Sequence, residues 1–375
     1  MRLPLALPLL TLFGACPPAL AGAERHDLRV ELGTEYDSNP DRAETIVEGT
    51  PILPRAGASP LMRMLASGGW SLEPRRAYAI AFSGALGGKR FFNNDARGDD
   101  VLVAQANGTG LFRVGQRVGV GAALIYYDAF QRGPVDRRDF RSFTPLLRLE
   151  YNAGKATQLA LSGGVRWFDF KSDDRLSFSG PTVSLFARQV FPGNLATGGA
   201  DWDWNAGITL EGRDFVGPAC TNDTCTSDAS TPSRLDRLWI GHGELTRTAS
   251  FLVTAGAAIH VNQSNSLVES LIRGLFHVRF VVPLPWSFSL SGRADLVVTH
   301  YRHSLLLLRD PNAAAPLVSI EDENRSTLRF DLARPIAKGF EIGARIVLYS
   351  SFPSRGSVEY SRQTALLYLA VFNER

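Results

Sequence analysis

Apolar and polar side chains alternate strictly through stretches that recur from Leu28 to Phe372, each separated from the next by turn or loop residues. A period of two belongs to a strand, whose successive side chains point to opposite faces. From Gln158 to Phe168, one face carries Leu159, Leu161, Gly163, Val165 and Trp167, and the other carries Gln158, Ala160, Ser162, Gly164, Arg166 and Phe168. One face suits hydrocarbon and the other suits water. Soluble sandwiches use strands of about five or six residues, whereas a tilted strand crossing a bilayer needs about 9–11. Arginine, aspartate or glutamine interrupts the apolar runs well before the roughly 20 residues of a spanning helix. The pattern therefore predicts an all-β fold, a transmembrane antiparallel up-and-down β-barrel.

Sixteen strands are expected, near 27–36, 61–71, 77–91, 100–112, 117–127, 142–152, 156–168, 181–190, 202–213, 236–247, 250–261, 267–281, 287–300, 324–333, 340–350 and 361–372. An even count closes an antiparallel barrel with both termini on one side. The connections also alternate. Asn152 to Lys155, Arg247 to Ala249, Pro283 to Trp286 and Arg334 to Gly339 read as tight periplasmic turns. Asp37 to Pro60, Asp128 to Arg141, Asp214 to Leu235 and Tyr301 to Glu323 read as surface loops. Phe191 to Asp201 is too long for the side on which it falls and leaves eighteen strands open. Tyr36, Trp70, Tyr78, Tyr151, Trp167, Trp202, Trp239, Trp286, Phe288 and Phe340 lie near strand ends, where amphipathic rings meet lipid headgroups.

Residues 1–21 read as a signal peptide, with a cation at Arg2, an apolar segment from Leu3 to Phe13 and an Ala19-Leu20-Ala21 cleavage site, so that 22–375 forms one barrel domain. Acylation of Cys16 as a lipoprotein is the alternative. Either route exports the chain, and the barrel pattern then places it in the outer membrane of a Gram-negative bacterium. Mean hydropathy near zero (−0.04) fits strands with one face in lipid. A net charge of +3, with cations dispersed along strands, excludes a nucleic-acid partner. Only four cations are lysine, at 89, 155, 171 and 338, so 40 minus 4 leaves 36 arginines. Base composition of the genome and a use for planar bidentate contacts both explain that bias.

If the apolar phase faces lipid, the lumen receives Arg29, Glu31, Glu35, Arg63, Arg148, Glu150, Arg166, Glu269, Arg273, Arg279, Arg293, Asp295, Arg329, Asp331, Glu341 and Arg345. The same charges facing lipid at the midplane would cost about 2–4 kcal/mol each. Arginine is in excess, which suggests a polar conduit with a preference for anionic solutes; charges that pair across strands and fill the interior are the competing reading. His242, His260 and His277 share this phase. Intervening strands hold His242 and His277 roughly 9–10 Å apart, too far to share one metal ion. Cys220 and Cys225 bracket a short polar segment of an exported chain and are expected to form a disulfide. No histidine-activated serine, acidic dyad or phosphate loop stands out, so neither enzyme nor cofactor is expected.

The segment Leu32-Gly33-Thr34-Glu35-Tyr36-Asp37-Ser38-Asn39-Pro40 resembles the opening of a broad group of proteobacterial outer-membrane β-barrel porins, in which a glycine and a Tyr-Asp-x-Asn run mark the first hairpin. The resemblance implies barrels associated with exopolysaccharide export, and the texture is also similar to barrels of myxobacterial surface machines. It further implies separate periplasmic export or scaffold proteins as partners, since no helical repeat is visible here. The last strand, with Leu366, Tyr368, Ala370 and Phe372, resembles the C-terminal signal read by the barrel-assembly machinery, although Asn373, Glu374 and Arg375 follow it. Two functional readings stand at this point: a polar pore for polysaccharide or another polar solute, and a structural or adhesive component of a surface machine acting through its long loops.

Overall fold

The computed structural model describes residues 25–40, 46–47, 50–51, 57–72, 78–115, 117–132, 139–154, 156–193, 200–221, 230–267, 269–302, 306–308, 317–319, 325–351, 358–359 and 361–374. Within them the chain closes into an antiparallel barrel of sixteen strands. In chain order these are β1 (Arg25–Asp37), β2 (Ser59–Leu72), β3 (Tyr78–Phe91), β4 (Asp100–Val114), β5 (Val118–Arg132), β6 (Phe140–Asn152), β7 (Thr157–Phe170) and β8 (Phe178–Phe191). Then follow β9 (Asp201–Pro218), β10 (Ser233–Thr248), β11 (Leu252–Ser264), β12 (Leu271–Pro283), β13 (Ser289–Tyr301), β14 (Arg325–Ala337), β15 (Phe340–Ser351) and β16 (Ser361–Glu374). Each strand pairs with its neighbours in sequence, and β1 pairs with β16 from Asp27↔Glu374 to Asp37↔Thr364, which removes every sheet edge from the lipid.

The closed ring settles the strand count, because the connection after β8 contributes no further pair to it. Several strand ends differ from the sequence reading: β5 runs to Arg132 and β9 to Pro218, each about five residues beyond the expected end, and two other differences have a clear local cause. The fourteenth strand was expected to end near 333 and to turn over Arg334 to Gly339, yet β14 continues to Ala337, because Pro335 sits at a register shift between Pro335 and Ala337, where a missing N–H is tolerated. The turn shrinks to Lys338-Gly339, and Gly339 takes a φ of +79° that few side chains accept. The twelfth strand begins at Leu271, not near 267, because Ser264 and Ser270 cap each other across the loop: the Ser264 N–H donates to Ser270 Oγ at 3.0 Å.

Orientation follows from exposure. Leu32, Leu185, Ile259, Phe276, Ile346 and Leu369 are large, apolar and exposed, and they belong to one alternating phase around the ring. Soluble monomers do not carry an apolar patch of that extent, so this surface is the hydrocarbon-facing belt of an outer-membrane protein. Tyr36, Tyr78, Tyr151, Trp167, Trp202 and Phe340 are exposed on the same outer surface. The opposite phase faces the lumen.

One short turn works against its own backbone. Trp286 and Ser287 have φ values of 58° and 62°, the left-handed conformation that hairpin turns normally fill with Asn-Gly. Trp286→Asn combined with Ser287→Gly is therefore expected to stabilise the barrel by about 1 kcal/mol, from a left-handed cost of roughly 1–2 kcal/mol per residue. A rise in the urea midpoint without a change in slope would show it; an unchanged midpoint would mean that contacts of the Trp286 ring compensate the turn.

Candidate functional site: the lumen wall

The inward phase is built from a repeated local unit. Residues i and i+2 of a strand share a face, so an arginine and an acid at that spacing meet without help from another strand. The unit occurs as Arg29/Glu31 (3.9 Å), Arg148/Glu150 (2.7 Å), Glu211/Arg213 (2.5 Å), Arg234/Asp236 (2.6 Å), Arg293/Asp295 (2.8 Å) and Arg329/Asp331 (2.6 Å). Cross-strand pairs join these units: Arg29–Glu341 at 2.6 Å, Arg63–Glu35 at 2.6 Å, Arg166–Glu211 at 3.4 Å and Arg345–Glu31 at 2.9 Å. Arg345 also binds Asp331, and Arg362 binds Asp37 on the closing strands.

Arg29, Glu31, Glu35, Arg63, Arg148, Glu150, Arg166, Arg273, Arg279, Arg293, Asp295, Arg329, Asp331, Glu341 and Arg345 all lie on the inward phase of barrel strands. Glu269 does not. The expected register ran β12 back to residue 267, but Glu269 falls in the loop before that strand and pairs with Arg234 at 2.8 Å at the loop-side mouth. Sequence reasoning missed Arg213, Arg234, Glu211 and Asp236, although the arginine-x-acid spacing on the inward phase would have picked out all four.

Pairing does not bury the two charges equally. Side-chain exposure is 37% for Arg63 against 3% for Glu35, 35% for Arg29 against 4% for Glu31, 42% for Arg329 against 9% for Asp331, and 38% for Arg293 against 26% for Asp295. The cause is length. A short carboxylate stays against the wall while the longer arginine folds over it and presents its remaining N–H groups to the lumen. Arg188 and Asp203 reverse that order, as do Arg234 and Glu269 at 13% against 33%, and Arg148 is buried as deeply as Glu150.

Near the loop end, Phe140, Phe168, Phe178 and Phe215 form a buried row across β6–β9, with successive ring centroids 5.4, 5.0 and 5.0 Å apart. Arg213 lies 5.1 Å from the Phe178 centroid and Arg234 lies 4.1 Å from that of Phe215. The row is thus a small apolar core inside the barrel, roofed by guanidinium groups that gain from the ring faces. A second such core joins Leu61 and Phe91 to Ala96 of the turn Asn94–Asp99.

The histidines do not converge on a metal. His277 Nε2 meets Glu244 Oε2 at 3.0 Å, and no group of three or more metal-ligating side chains occurs among the described residues. Cys220 is disulfide-bonded. Its expected partner Cys225 lies outside the described residues, as do the signal segment with Cys16 and most of the two longest loops.

No known family profile matches the chain, and no curated protein matches its sequence. Solved structures do resemble it in shape. OprB of Pseudomonas putida superposes with a TM-score of 0.55 at 9% identity, covering 93% of this chain and 94% of that one. OccK8 (OprE) of Pseudomonas aeruginosa gives 0.46 at 8% identity, covering 94% and 98%. A BenF-like porin from Pseudomonas fluorescens Pf-5 gives 0.42 at 9% identity, covering 95% and 100%. The OprB likeness shows a shared barrel fold.

Proposed function

We propose that this outer-membrane barrel is a polar pore whose lumen favours anions. The observation that carries the reading is the exposure asymmetry of the luminal ion pairs: the wall is nearly balanced in charge, but its water-facing layer is arginine-rich and its carboxylates lie beneath. A permeating anion meets N–H donors first, whereas a cation must approach carboxylates already engaged by arginine. The cargo we assign is a polar polymer or solute bearing acidic groups, and the Tyr36-Asp37-Ser38-Asn39 resemblance favours export of an exopolysaccharide.

The expected result in a planar bilayer is a stable conductance whose reversal potential under a potassium chloride gradient shifts toward the chloride value. Replacing Arg29, Arg63, Arg293 and Arg329 by serine together should move it toward neutrality. A folded barrel that stays silent would overturn the pore reading, and a cation-selective current would overturn the anion preference. Export of an exopolysaccharide needs its own test: deletion of the gene should leave polymer in the periplasm, and normal surface polymer in the deletion strain would refute that cargo.

A further inference from the structure

Three arginines stand side by side at one level of the lumen. On β12, β13 and β14, Arg279 is directly opposite Arg293, and Arg293 is directly opposite Arg329. Adjacent strands lie roughly 4.8 Å apart, so the three side chains leave the wall within about 10 Å of one another. Like charges directly opposite across a sheet are destabilising, and a wall built only to fold would avoid two such contacts in succession.

Nor are the three groups saturated by the protein. Arg293 uses Nε and Nη2 on Asp295, and Arg329 uses Nε and Nη2 on Asp331. Among the described residues, the Nη1 group of each makes no hydrogen bond. Arg279 has a single acceptor, Thr254 Oγ1, at 3.3 Å through Nη2. Asp295, on the adjacent strand, is held by Arg293, and Glu244, two strands away, is engaged by His277 at 3.0 Å. On one flank the row ends at Thr254, and on the other at Val347. Neither neighbour supplies a charge.

We infer that Arg279, Arg293 and Arg329 form a binding step for a polyanion that carries two or more carboxylate or phosphate groups. The unspent guanidinium edges match the paired oxygens of such groups, which a spherical chloride ion cannot bridge. The inference deepens the pore reading and rests on it for the site's biological use, although binding itself does not require conduction. An acidic polymer passing along the lumen would engage this row one anionic unit at a time.

Isothermal titration calorimetry of the refolded barrel in detergent tests it, with citrate and pyrophosphate as probes and acetate as the single-charge control. Saturable binding of citrate or pyrophosphate is expected, with acetate far weaker. Arg279→Gln, Arg293→Gln or Arg329→Gln should each lower the affinity about tenfold or more, as loss of a charge-assisted contact does. Arg188→Gln, which removes a luminal arginine that is less exposed than its partner Asp203 and lies outside the row, should change it less than twofold. Binding of citrate over pyrophosphate, or the reverse, identifies the anionic group preferred. The absence of saturable binding, or an equal loss in Arg188→Gln, overturns the inference. If a glutamine variant does not refold, lysine at the same position keeps the charge and reads the loss of the fork geometry: unchanged binding there refutes the bidentate role. An anion-selective pore without polyanion binding would remove this step and leave the pore; polyanion binding in a silent barrel would do the opposite.

Discussion

Replacement of Arg345 by alanine is expected to destabilise the barrel by about 3–5 kcal/mol, the cost of stripping a buried carboxylate of its cation. Arg345 is only 6% exposed. From β15 it reaches over β16 to β1, where Nη1 and Nη2 hold the two oxygens of Glu31 at 2.9 and 3.2 Å, and its Nε also donates to Asp331 on β14. One side chain thereby ties the first strand of the chain to two of the last three. The closing strand is low at the Glu31 end, where Ala370 is opposite both Glu31 and Glu341 and fully buried, while Arg345 starts opposite Leu366, which is buried too. Tyr368 lies flat beside it, in space that a Cβ on Gly343 would occupy, and Arg345 stands 5.2 Å from the tyrosine centroid.

Urea unfolding in lipid vesicles, followed by tryptophan fluorescence, checks the magnitude. The control is a neutral set, Glu31→Gln, Asp331→Asn and Arg345→Met together. It keeps the volume and leaves no buried charge unpaired, since Arg329, which loses Asp331, is 42% exposed to the lumen and Arg29 keeps Glu341, so it should lose much less than Arg345→Ala alone. A loss below about 1 kcal/mol in the alanine variant, the level of a screened surface pair, would mean that water reaches Glu31 and that the clasp does not hold the seam.

The architecture could be read before the coordinates because it depends on a single local variable. Whether Leu161 or Arg166 points outward depends on strand parity alone, and closure then distributes that parity around the ring. Strand ends were less legible, since they depend on partners far away in sequence. The fourteenth strand was expected to stop near 333, whereas the register shift beside Glu341 and Phe340 lets it run on to Ala337. Glu269 was placed on the wall by extending an alternation that the serine caps at Ser264 and Ser270 cut short. The site was half visible. Its residue types and facing followed from the phase, but the level at which Arg279, Arg293 and Arg329 meet is set by registers of β12–β13 and β13–β14, and no local pattern encodes a register. Exposure was equally hidden, because it arises from a long side chain lying over a short one once both share a wall.

Leu185→Arg and Ser184→Arg form the sharpest contrast on which this account depends, since adjacent residues of one strand should respond in opposite ways. Leu185 is near the middle of β8, 52% exposed and directly opposite Leu161 and Ile208, so it lies in the centre of the apolar belt. An arginine there faces hydrocarbon at the midplane and should cost about 2–4 kcal/mol, with poor assembly into the membrane. Ser184 points to the lumen, where its hydroxyl meets that of Thr209 at 2.8 Å. An arginine there loses that contact, worth about 1 kcal/mol, but keeps its charge in water beside other luminal polar groups. It should therefore assemble normally and shift the reversal potential further toward anions. Equal costs at the two positions would show that β8 is not spanning the bilayer in this register. The reverse order would turn the barrel's faces around, and with them the assignment of every luminal arginine.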